Sequence, residues 1–100
     1  MKHNYTEKQI EKTMKVVETL EKCNTEIGSD SKIYDIKLLS DFSDDIYLSY
    51  ICEMKGADRG TYKIYEKIDI NGVKTELNTN GTPISELQEM FSTFTPLKLT

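Results

Sequence analysis

The stretch "KIYEKIDINGVKTEL", residues 63–77, decides how this chain folds. Asn71-Gly72 separates two runs in which apolar and polar residues alternate, the period of a β-strand. Asn-Gly between such runs predicts a two-residue type I′ hairpin, because both turn positions then need φ > 0. That loop pairs Ile70 with Val73, Asp69 with Lys74 and Lys67 with Glu76. Two opposite-charge pairs then share one face, and Ile68, Ile70 and Val73 share the other, a consistent outcome.

Working outward, "TYKIYEKIDI" (61–70) places Tyr62, Ile64, Ile68 and Ile70 on one side and Lys63, Tyr65, Lys67 and Asp69 on the other. Two further strands precede it. "KIYDIKLLS" (32–40) alternates Tyr34, Ile36 and Leu38 with Asp35 and Lys37. "IYLSYICEM" (46–54) puts Ile46, Leu48, Tyr50, Cys52 and Met54 on one face.

Helices flank this block. Thr6 and Gln9 form a capping box, with Tyr5 and Ile10 spaced as a hydrophobic staple. Ile10, Met14, Val17 and Leu20 predict a buried stripe on a helix over 7–26, with Gly28 as its stop. Thr82 caps a second helix, Pro83 suits its first turn, and Pro96 follows its end. Its expected buried stripe is Ile84, Leu87, Phe91 and Phe94.

The expected fold is therefore α+β in one domain spanning 1–100, ordered α-β-β-β-β-α. The four strands form an antiparallel meander, and both helices cover one sheet face. The other face is expected to stay open to water or a partner, carrying Asp35, Lys37, Tyr47, Glu53, Lys63, Tyr65, Lys67 and Glu76.

Composition narrows the function classes. One hundred residues support one modest core. Two cysteines, with no CxxC and no secretory leader, make reduced thiols in a cytoplasmic protein the expectation. The formal charge is −4, and its location matters more than its size. From Leu38 to Met54 there are four acids (Asp41, Asp44, Asp45, Glu53) and no Lys or Arg, while 13 acids and 13 bases balance elsewhere. Direct nucleic-acid binding over a broad basic face is not expected, nor is a membrane span.

The acidic cluster "DFSDD" (41–45) invites a metal reading. Asp41, Ser43 and Asp45 match the first positions of a calcium loop, but Ile46 stands where Gly is needed and Cys52 where a bidentate Glu is needed. Zinc lacks ligands, since His3 is the only histidine. A carboxylate followed by Glu53-x-Lys55 resembles the order in PD-(D/E)xK nucleases. Yet eight strand residues separate Asp45 from Glu53, about 26 Å at ~3.3 Å per residue. No metal or cofactor is expected, and no catalytic residues. Glu66 breaks its strand's apolar pattern, and the expectation is that it lies at the rim or on a bulge.

In size, charge and layout the chain resembles small phage-encoded anti-CRISPR inhibitors. The residues that carry the likeness are Asp41, Asp44, Asp45 and Glu53 on a helix–meander–helix frame. The resemblance implies a non-enzymatic inhibitor that evades antiviral defence by docking acids onto a basic protein surface that grips nucleic acid. Tyr47 and Tyr65, on the open face, complete the expected partner-binding set. Three other readings stand beside it: an immunity or antitoxin protein, a metal-dependent nuclease, and a homo-dimer built on the open face.

Overall fold

Helix α1 (Glu7–Lys22) begins where the capping box puts it: Gln9 N–H donates to Thr6 Oγ1, and Thr6 N–H donates to Gln9 Oε1. The computed structural model describes residues 5–23, 31–56 and 59–99. The helix ends at Lys22 with Cys23 as its C-cap, shorter than expected, and Gly28 lies outside the described residues. Its buried side is also rotated from the expected one. Gln9, Thr13 and Leu20 are buried, Val16 and Val17 pack beside them, and Met14 is exposed. Polar Gln9 and Thr13 can be buried because their hydrogen bonds are met within the fold. Gln9 Nε2 donates to the Asp44 and Ile68 carbonyls, and Thr13 Oγ1 donates to the Gln9 carbonyl.

Strands β1 (Ser31–Ser40), β2 (Ile46–Met54), β3 (Gly60–Ile68) and β4 (Lys74–Glu76) form the antiparallel meander. A fifth strand, β5 (Thr95–Pro96), follows helix α2 (Ile84–Ser92) and pairs with the end of β1. The sheet order is β4-β3-β2-β1-β5. In β1 the register slips between Tyr34 and Lys37, and Asp35 there has φ 55°. That bulge breaks the simple alternation: Tyr34 pairs with Ile51, whereas Leu38 pairs with Leu48 on the opposite face.

The Asn-Gly hairpin forms, one residue out of the expected register. Ile68 pairs with Lys74 and Glu66 with Glu76. Of the Asn71-Gly72 pair only Gly72 has positive φ, at 77°, which excludes the type I′ turn. Asp69 closes a three-residue loop instead. Its carboxylate accepts from the Asn71 and Val73 amides, while its carbonyl accepts from Gly72 N–H at 2.9 Å. The shift turns Lys74 and Glu76 onto the face of Glu66, so the expected Asp69–Lys74 and Lys67–Glu76 pairs do not form. Ile70 and Val73 are left exposed.

Both sheet faces are covered, which corrects the expectation that both helices share one. Helix α1 packs on the face of Ile33, Leu48, Tyr50 and Ile64. Helix α2 packs on the other, where Leu87 and Phe91 meet Leu39, Tyr65 and Leu77. The cause lies in β2 and β3, which carry large side chains on both faces and so need two layers. Leu77 reaches the α2 face because a short 3-10 turn (Leu77–Thr79) carries the chain out of β4. Ile46, Leu48 and Ile68 are fully buried, each contributing about 1.5–3 kcal/mol by transfer from water. On α2, Leu87 and Phe91 are buried as expected, but Ile84 is 49% exposed.

Candidate functional site

The loop between β1 and β2 is built by its own short polar residues. Asp41 Oδ1 accepts from the Ser43 amide and hydroxyl. Ser43 Oγ accepts from the Asp45 amide, and Ser40 Oγ from the Phe42 amide. These bonds give the turn its shape without a regular ladder. Two outside groups then tie it down. Tyr5 donates its hydroxyl to Ser40 Oγ at 3.2 Å, and Gln9 Nε2 donates to the Asp44 carbonyl at 2.6 Å. The loop is held against the start of α1.

Phe42 sits at its tip with φ 68° and is 62% exposed. A bulky residue in that left-handed region is strained, and such strain persists only where surrounding contacts impose it. Here Asp41 and Ser40 supply those contacts. Asp44 is exposed beside it, while Asp41, Ser43 and Asp45 are half-buried. The result is a fixed tip that presents one aromatic ring among carboxylates.

Tyr47 belongs to this site, but from behind. Its ring lies 4.6 Å from Phe94 and 5.5 Å from Phe91, edge-on to the latter. Its hydroxyl faces Asp41 and Ser43. Burial, then the negative Asp41 and Asp45, push its phenol up to about 12. It braces the loop against α2 and does not stand on an open face. Tyr65 is only 2% exposed, under Phe91, and leaves the partner-binding set. Glu53 pairs with Lys32 and Thr61 at the far end of β2, so it too is remote from the loop. The structure thus joins Asp41, Asp44, Asp45 and Tyr47, separates Glu53 from them, and buries Tyr65 in the aromatic cluster behind Tyr47.

Phe42 is the residue the sequence reading missed. The signal was there: an aromatic in a run of Asp and Ser, at a position that strand alternation does not require. Among the described residues, no three His, Cys, Asp or Glu side chains are placed to hold a metal ion. No described helix is long and apolar enough to cross a membrane.

A second polar cluster lies on the α1 face. Glu66 is 3% exposed within a regular part of β3, with neither a bulge nor a rim position, contrary to expectation. Oε2 meets Lys74 Nζ at 3.3 Å, and Oε1 accepts no hydrogen bond. Tyr50 lies against it, its phenol pushed up by burial and then by the Glu66 charge. The hairpin shift created this pair by bringing Lys74 to that face. Comparison with known proteins found no matching family model, no matching curated protein and no matching solved structure.

Proposed function

We propose that this protein acts by binding another protein, docking the Asp41–Asp45 loop onto a basic surface with Phe42 as the anchor. The observation that carries the reading is Phe42 itself, held at positive φ and 62% exposed beside Asp44. A rigid, largely exposed aromatic at the centre of a contact is a common anchor. The surrounding carboxylates steer a cationic partner and raise the rate of encounter. A surface that normally grips phosphates fits this chemistry, which supports an inhibitor of a nucleic-acid-binding enzyme of the kind the profile resembles.

The test uses the chain as bait in cells. A partner retained by the native chain is then measured by calorimetry against Phe42→Ala and against Asp44→Lys with Asp45→Lys. Each variant is expected to weaken binding at least ~10-fold, a loss of ~1.4 kcal/mol or more. The carboxylate changes should also reduce the salt dependence. A partner bound equally well by all three proteins would refute the reading. The identity of the partner separates an inhibitor of a nuclease from an immunity protein that neutralises a toxin.

A further inference from the structure

The α2 face of the sheet holds a feature that the acidic loop does not use. Helix α2 is too short to cover it, and a groove of about 640 Å³ opens between helix and sheet. Leu39, Ile51 and Tyr65 form its floor, with Ser49 adding a hydroxyl. Ile84, Phe91 and Phe94 form one wall. The exposure of Ile84, unexpected for a helix residue on the buried stripe, follows from its place on this wall.

The groove's charged groups are of one sign, beside neutral Ser49, Gln88 and Ser92. Lys37 and Lys63 line it, drawn to the same face by their pairing with Ser49 and Ile51. Among the described residues, the carboxylate that forms ion pairs with them is Asp35, 3.7 Å from Lys37 and 3.9 Å from Lys63. One carboxylate shared between two ammonium groups leaves a net positive charge at the groove. These contacts are loose and solvent-exposed, so they hold the lysines weakly and leave their remaining donors for another anion. The strand register puts four lysines on this face (Lys32, Lys37, Lys63, Lys67), where Asp35 lies by Lys37 and Lys63, Glu53 pairs with Lys32, and Asp41 and Asp45 lie at the loop end beside Tyr47. In a chain with a net charge of −4, Lys37 and Lys63 around Asp35 make the groove a local reversal of sign.

We propose that this groove binds a small amphiphilic monoanion, with an apolar body on Leu39, Ile51 and the Phe91/Phe94 wall and a carboxylate held by Lys37 and Lys63. The volume lies in the range of small-molecule sites, which pair an apolar lining with a few convergent polar groups. Charge decides the class: a neutral hydrocarbon leaves the two ammonium groups unused, and a cation is repelled by them. The site is distinct from the Asp41–Asp45 loop, which lies at the β1–β2 turn, although Tyr47 behind that loop touches Phe91 and Phe94 of the wall.

Decanoate is a suitable probe, followed by amide chemical shifts in NMR and by calorimetry on the full chain. Decanol and decyltrimethylammonium serve as neutral and cationic controls. Saturable shifts are expected at Lys37, Ser49, Ile51 and Lys63, with decanoate the tightest of the three. Lys37→Gln with Lys63→Gln should weaken decanoate at least tenfold. Ile84→Glu, at an exposed position, should do so while leaving the dispersion of the spectrum intact. Asp44→Lys should change nothing. Equal binding of decanol, unchanged affinity in the lysine variant, or shifts confined to the α1 face would each overturn the proposal. So would tighter binding by a peptide ending in Phe, since that would make the occupant a protein terminus.

Discussion

Gln9 ties three parts of the molecule together, and replacing it tests that tie directly. Its side chain is 0% exposed. Nε2 reaches the Ile68 carbonyl at 3.0 Å and the Asp44 carbonyl at 2.6 Å, while Oε1 accepts from Thr6 N–H. Gln9→Met keeps the volume and deletes every one of these bonds. The buried Ile68 carbonyl then loses its side-chain donor, at about 2 kcal/mol, and the part-buried Asp44 carbonyl at about 1 kcal/mol. The capping contact is more exposed and adds about 0.5 kcal/mol. The expected loss is roughly 3–4 kcal/mol, a large share of the ~5–15 kcal/mol that holds a domain together. In a urea titration this appears as a lower midpoint at constant slope, since the surface exposed on unfolding is unchanged. By heat it appears as a fall of about 12 °C or more, at ~4–8 °C per kcal/mol for a domain of this size. Gln9→Ala should cost about 1 kcal/mol more, because it also leaves a cavity. A Gln9→Met loss below ~1 kcal/mol would refute the reasoning, since the carbonyls would then have found other donors.

Three further outcomes are expected. Gly72→Ala should destabilise by roughly 2–3 kcal/mol, because an added Cβ meets the Lys8 carbonyl oxygen at 2.9 Å while φ stays at +77°; a loss under ~0.5 kcal/mol in urea would mean that the hairpin tip is not docked on α1. Lys74→Met strands the Glu66 carboxylate and should cost about 2–3 kcal/mol, allowing for the lysine's exposure; adding Glu66→Met should recover it, and a double variant no better than the single one would count against a buried pair. Tyr47 keeps its proton up to about pH 12 in the folded chain, whereas an unfolded tyrosine releases it near ~10. The stability this contributes is complete below ~10 and declines as pH rises through 12; Tyr47→Phe should flatten that decline in alkaline melts followed by phenolate absorbance.

Much of the fold was legible because local chemistry and tertiary structure agree. Thr6 and Gln9 marked the helix start, Ile46–Met54 matched its strand at both ends, and Asn71-Gly72 marked a real hairpin. The errors share a physical origin. Asn-Gly serves a two-residue loop or the end of a three-residue one, and Asp69, through its side-chain bonds, selects the latter. Strand alternation alone places Tyr47 and Tyr65 on an open face, yet large rings on both sides of β2 and β3 mark a sheet covered twice. Gln9 and Thr13 lie outside any hydropathy stripe because their burial depends on hydrogen bonds, to the distant Asp44 and Ile68 carbonyls for Gln9 and to the Gln9 carbonyl for Thr13. The acidic loop was found through charge alone. Phe42 escaped notice because its meaning lies in its backbone angle, which only the assembled loop defines.

At the outer edge of β3, Asn78 imitates a neighbouring strand. Its Oδ1 accepts from Tyr65 N–H and its Nδ2 donates to the Lys63 carbonyl, both at 2.8 Å. Where β4 stops short, one amide group thus continues the ladder and prevents a foreign strand from adding to it. Ageing of the sample turns this into a chemical weak point. Deamidation of Asn78 would replace the donor with a carboxylate facing that carbonyl, and repulsion would peel the side chain away. The uncovered edge would then be a seed for strand-by-strand aggregation. A stored preparation should therefore gain aggregate in step with conversion at this residue, and Asn78→Asp should reproduce the fate of old protein in fresh material.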